Sequence, residues 1–136
     1  MLRWLITGAG RGIGLEMARQ LLDRGDAVIG TVRLAAAVRE LRGLFPIEVV
    51  PRLQILILDV RDPTSIARAA LDVAKPLDVL VNNAGILGPR RQSTLDTDFD
   101  GFLETVAVNA MGPLAVTQAF LPQLRASGRP RVVTIT

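Results

Sequence analysis

The chain has 136 residues, 49% of them hydrophobic, and a formal net charge of +3. That is the length and apolar content of one folded domain, and it excludes a disordered chain. Histidine, cysteine and tyrosine are absent, which excludes disulfides, thiol chemistry and most of the usual general bases and nucleophiles.

The pI near 10.9 does not signal a nucleic-acid partner. Fifteen of the sixteen basic residues are arginines, scattered among acids, and Lys75 is the sole lysine. At 4% aromatics there is no stripe on which bases would stack. No apolar run reaches the ~18 residues of a membrane span. The opening MLRWLIT lacks the length and the small-residue cleavage site of a signal peptide. A cytoplasmic protein without membrane or nucleic-acid partners is the expectation.

Trp4 to Thr7 is a short apolar run and predicts the first strand. Ile13, Met17 and Leu21 recur every four residues beside Ala18 and Leu22, one face of a helix, with Gly25 as its C-terminal cap. Ala27 to Val32 predicts strand two and Leu34 to Leu44 a helix, followed by a two-proline loop from Phe45 to Arg52. Leu53 to Leu58 predicts strand three. Asp62-Pro63 then starts a helix running to about Ala74, with Asp as N-cap and Pro at the first helical position. Leu77 to Val81 predicts strand four, Gly85 to Asp96 a polar loop, and Phe99 to about Ala126 one long helix kinked at Pro113. Arg131 to Thr136 predicts strand five. Strands alternating with helices imply an α/β fold with a parallel sheet and right-handed crossovers, in one domain spanning residues 1–136. The strands are apolar runs rather than alternating patterns, as expected where helices cover both faces.

Thr7 to Gly14 reads TGAGRGIG, between a strand and a helix. That setting suits a phosphate-binding turn: the first N–H groups of the helix are unsatisfied and carry partial positive charge. Gly8 is expected to turn the strand sharply, Gly12 to let the backbone approach a pyrophosphate, and Gly14 to let the helix pack closely on the sheet. The spacing is T-G-x-x-x-G-x-G, not G-x-G-x-x-G.

Here the sequence resembles the short-chain dehydrogenase/reductase family, over its whole length. Asp59-Val60 stands at the end of strand three, Asn82-Asn83-Ala84-Gly85 after strand four, and Asn109 in the long helix, all in the family's order. The resemblance implies a Rossmann-like, doubly wound sheet of about five strands, ordered 3-2-1-4-5 and stopping before the family's later strands. It implies a dinucleotide cofactor held by Gly8, Arg11, Gly12, Ile13, Gly14, Arg33, Asp59, Val60, Asn83, Ala84 and Gly85, with Asp59 near the adenine, and no metal. The end of strand two reads Thr31-Val32-Arg33, without the acid that bonds a ribose 2′-hydroxyl in NAD-preferring sites. Arg33 and Arg11 instead suit a 2′-phosphate and favour NADP(H) over NAD(H).

The family's chemistry is hydride transfer between nicotinamide and a carbonyl or alcohol carbon. It uses an Asn, a Ser, and a Tyr and Lys in Y-x-x-x-K spacing. Only Asn109 has a counterpart as a candidate catalytic residue; there is no Tyr, and Ser65, Ser93 and Ser127 all precede strand five. The sequence therefore looks like the N-terminal half of an NADP-dependent oxidoreductase, inactive on its own. The alternatives are a short nucleotide-binding sensor without catalysis and an interaction subunit. An edge strand RVVTIT and the apolar Phe102, Val106, Ala110, Leu114 and Phe120 lead us to expect self-association.

Overall fold

A computed structural model describes all 136 residues. Five strands, β1 (Arg3–Ile6), β2 (Ala27–Val32), β3 (Leu53–Ile57), β4 (Val79–Asn82) and β5 (Arg131–Thr134), form one sheet in the order β3-β2-β1-β4-β5. Every pairing is parallel. The helices between them are α1 (Gly12–Asp23), α2 (Ala35–Gly43), α3 (Pro63–Leu71), α4 (Phe99–Val106), α5 (Gly112–Ala119) and α6 (Leu121–Arg125).

Alternate strand residues feed two cores, one on each face of the sheet. Ile6, Val28, Val79 and Val81 pack with Ala18, Leu21 and Leu22 of α1 and Leu41 of α2. Leu5, Ile29, Leu56 and Leu80 pack on the other face with Ile66 and Ala69 of α3, Val116 of α5, and Phe120 and Leu124. This is the doubly wound arrangement that unbroken apolar strands require.

The helix ends follow the local sequence. Asp62 caps α3 by accepting from the Thr64 N–H at 2.9 Å, with Pro63 in the first turn. Gly25 follows α1 with φ +98°, and the Asp26 N–H returns to the Leu21 carbonyl at 3.0 Å, closing a Schellman turn.

The long helix expected from Phe99 to Ala126 is not continuous. After α4 the chain makes a π-helical turn over Ala107–Met111, and α5 then begins with Pro113 near its start. Pro113 has no N–H for the Asn109 carbonyl four residues back, so the hydrogen-bond ladder is interrupted there. A second break falls at Phe120, directly before Leu121-Pro122. The apolar residues of this region also divide. Phe120 is fully buried against the sheet, whereas Phe102 and Leu114 are exposed. Strand β5 is exposed along its length, at the sheet's edge.

Candidate functional site

The loops leaving the C-terminal ends of β1, β2, β3 and β4 surround a cleft of about 590 Å³. A crevice at the carboxyl ends of the strands, where chain order reverses, is where open α/β sheets bind ligands. Gly8, Arg11, Gly12, Ile13, Arg33, Asp59, Val60, Asn83, Ala84 and Gly85 all line it. Gly14 does not reach its surface, and Asn109 lies outside it.

Thr7 and Asn83 build the floor. The buried Thr7 hydroxyl accepts from the N–H groups of Asn83 and Ala84, both at 3.0 Å. The Asn83 side-chain amide donates to the carbonyls of Thr7 at 3.1 Å and Gly8 at 3.2 Å. On the other side Gly8 N–H donates to the Thr31 hydroxyl at 3.3 Å, and Ala9 N–H to the Thr31 carbonyl at 2.9 Å. The glycine turn is thereby bolted to β2 and β4 at once.

The three motif glycines have separate causes. Gly8 has φ +67°, and a Cβ there would come within 3.1 Å of Ala84 Cα. Gly12 has φ +57° but open space around it, so only its backbone conformation calls for glycine. Gly14 has an ordinary φ, and a Cβ would lie 2.4 Å from the Gly8 carbonyl oxygen and 2.6 Å from Asn83 Nδ2. What Gly14 permits is close approach of α1 to the turn and to Asn83, more than to the sheet.

The electrostatics favour an anion at one end of the cleft. The N-terminus of α1 carries no side-chain cap, and its first N–H groups open toward the cleft beside Gly12 and Ile13. Arg11 and Arg33 are exposed, and neither takes part in an ion pair. At the other end Asp59 is engaged. Arg61 binds both its carboxyl oxygens and holds its pKa below the ordinary 3.8 against the opposing effect of burial, with Arg33 adding to the pull. Arg61 also pairs with Glu104 of α4 at 2.6 Å.

Asn109 sits in the π-helical turn. Its side chain donates to the Ile86 carbonyl at 2.8 Å and accepts from the Ile86 N–H at 2.9 Å, pinning the start of the loop after β4. Thr7, Thr31, Arg61 and Glu104 escaped the reading of the sequence. Thr7 opens the turn motif and Thr31 stands beside Arg33, but nothing local in either stretch shows that their hydroxyls bond across the sheet. Glu104 meets Arg61 only through folding, and no spacing announces that pair.

The family model described as short chain dehydrogenase matches residues 3–136. Among curated relatives, (-)-isopiperitenone reductase of Mentha piperita is 31% identical, with 97% of this chain aligned to 55% of its length. The (+)-neomenthol dehydrogenase of Arabidopsis thaliana is 33% identical, over 97% of this chain and 52% of its own. A solved short-chain dehydrogenase from Streptomyces avermitilis superposes with a TM-score of 0.84 at 35% identity, over 99% of this chain and 49% of that one. An NADPH-bound carbonyl reductase from chicken fatty liver gives a TM-score of 0.83 at 32% identity, over 96% of this chain and 57% of that one. The chain thus spans about half the length of the relatives it matches. With its sheet order, its strand-to-helix glycine turn and this match from Arg3 onward, the chain belongs to the short-chain dehydrogenase family, whose N-terminal portion it represents.

Proposed function

We propose that the chain is the NADP(H)-binding portion of an oxidoreductase acting on a small carbonyl or alcohol substrate. The observation that carries this is the charge pattern of the cleft: two unpaired arginines, Arg11 and Arg33, flank a glycine turn, with no acid at the end of β2. A 2′-phosphate matches that pattern, and a bare ribose hydroxyl does not. The solved relatives agree in kind, since the carbonyl reductase is described with NADPH and a serine dehydrogenase with NADP+.

The residues fit the group by their own geometry. The α1 N-terminus and the open space at Gly12 receive a pyrophosphate. Arg11 and Arg33 hold the 2′-phosphate, and Asp59 and Val60 border the adenine. Asn83, Ala84 and Gly85 form the wall toward the nicotinamide. When bound, NADP(H) supplies or accepts the hydride. Asn109 keeps the loop after β4 in place through Ile86.

The chain contains no tyrosine for the family's general acid/base. We expect binding without turnover from these 136 residues. Calorimetric titration with NADPH and NADH tests the cofactor assignment: NADPH binds tighter by about tenfold or more, and Arg33→Ala removes most of that margin. Equal affinity for the two nucleotides overturns the assignment. NADPH oxidation with a panel of carbonyl compounds tests the expected inactivity.

A further inference from the structure

A second cavity, of about 610 Å³, lies between α2 and the loop that follows it, and its lining shares no residue with the cleft. Ala35, Val38, Arg39 and Arg42 line it from one stripe of α2, at i, i+3, i+4 and i+7. Phe45, Ile47 and Val50 line it from the loop. The floor belongs to the core: Phe45 is buried, and Val38 and Val50 pack partly against the same cluster. Ile47 beside it is 77% exposed, an aliphatic side chain facing water. Small residues keep the recess open, alanine at the start of the stripe and glycine at its end. A Cβ at Gly43 would meet nothing within 4 Å.

The charges on this recess are unspent. Arg39 and Arg42 are exposed, one helical turn apart, and neither takes part in an ion pair. Glu40 and Glu48 are their acidic neighbours in sequence, but neither lines the recess. Arg42 stands in the last turn of α2, at the end of a helix that carries partial negative charge. The surroundings therefore accept one negative charge on the arginines and resist a second.

We propose that this recess binds an aliphatic monocarboxylic acid, its carboxylate on Arg39 and Arg42 and its chain over Phe45, Ile47 and Val50. A guanidinium fork takes a carboxylate in two parallel bonds, each stronger than a neutral one. The alkyl chain gives Ile47 the apolar cover it lacks. A mostly apolar lining with a few polar groups to fix orientation, at this volume, is the usual build of a small-molecule site. A phosphate ester carries nearly two charges and meets the C-terminal end of α2, so it fits less well. The site does not depend on the nucleotide-binding reading above.

The test is calorimetric titration of the 136-residue chain with octanoate, hexanoate, 1-octanol and octyl phosphate. Octanoate is expected to bind about fivefold tighter than hexanoate, since each buried methylene is worth no more than about fourfold. It should also bind about tenfold tighter than 1-octanol, which lacks the charge, and tighter than octyl phosphate. Replacing both Arg39→Met and Arg42→Met keeps the aliphatic stems and removes the forks, and should bring octanoate to the level of 1-octanol. Ile47→Ser should weaken octanoate by about threefold. All three positions are exposed, and circular dichroism verifies the fold. If the double variant does not fold, Ile47→Ser and the head-group comparison on the wild type decide. No binding of octanoate at millimolar concentration overturns the proposal, as does equal binding of 1-octanol or tighter binding of octyl phosphate. An affinity for octanoate unchanged by the double substitution puts the acid elsewhere on the chain and overturns it too.

Discussion

Gly14→Ala and Gly43→Ala are the same substitution in two helices, and the structure gives them opposite signs. Both glycines have ordinary helical φ, so helix propensity alone favours alanine at each by up to about 1 kcal/mol. A Cβ at Gly43 meets nothing within 4 Å. A Cβ at Gly14 would lie 2.4 Å from the Gly8 carbonyl oxygen and 2.6 Å from Asn83 Nδ2. Relief requires Asn83 to give up its bonds to the Thr7 and Gly8 carbonyls, at about 1 kcal/mol each. It also requires the glycine turn to shift, an overpacking cost of about 1–3 kcal/mol. After the propensity gain, Gly14→Ala is destabilised by about 2–4 kcal/mol, a large part of the ~5–15 kcal/mol typical of a domain. Urea unfolding followed by Trp4 fluorescence measures it. With m of about 1–3 kcal/mol/M, the midpoint falls by roughly 1 M or more at unchanged m, while Gly43→Ala holds or slightly raises it. A Gly14→Ala midpoint at or above that of the wild type would refute the reasoning.

Thr7→Val leaves the Asn83 and Ala84 N–H groups without their acceptor and is expected to cost about 2–3 kcal/mol, whereas Thr7→Ser stays within about 1 kcal/mol; chemical denaturation separates the two. Asp26 is buried, which by itself raises its pKa, but the Leu2 N–H, Arg24 and the Trp4 indole outweigh burial and lower it below 3.8. Its stabilisation is therefore present above the unfolded pKa and lost as pH falls through the folded one. Asp26→Asn should be less stable at pH 7, with the gap closing in a pH series of thermal melts only as pH falls through the folded pKa, below the ordinary 3.8. The exposed Phe99, Phe102, Leu103, Met111 and Leu114 of α4, the π-helical turn and α5 lead us to expect association at tens of micromolar. Sedimentation should show it, and Phe102→Glu with Leu114→Glu should shift the chain toward monomer; a monomeric wild type would remove the expectation.

Most of the sheet was legible because each strand is a local apolar run, and because α1 closes at Gly25 and α3 opens at Asp62-Pro63. Val28, Leu56 and Leu80 announce buried strands without reference to anything distant. The break near Asn109 was half legible: Pro113 is visible in the sequence, but proline predicts a kink and does not say that the ladder relaxes through a π-helical turn. Pro122 ends α5 in the same way and is masked by the surrounding apolar residues. In the site, the glycines declare themselves because their backbone demands are local. Thr7, Arg61 and Glu104 act through partners 43 to 77 residues away, and such contacts leave no periodic trace. Gly14 shows the limit most clearly: its motif was readable, yet the atom that excludes a side chain there is a carbonyl of the turn itself.

The bonds between Thr7 and Asn83 carry a consequence for the order in which the molecule is made. As the chain leaves the ribosome, β1, β2 and β3 are out by residue 57 and can already pair as one flank of the sheet. The glycine turn is among the first segments to appear but is finished only once β4 has followed, because its central partner is 76 residues downstream. Closing so long a loop is slow compared with forming a helix. Until residue 84 emerges, a nascent chain holds TGAGRGIG without the side that shapes it. Ligand capture during synthesis therefore has a fixed earliest moment, set by the arrival of β4 and not by the completion of the turn's own sequence.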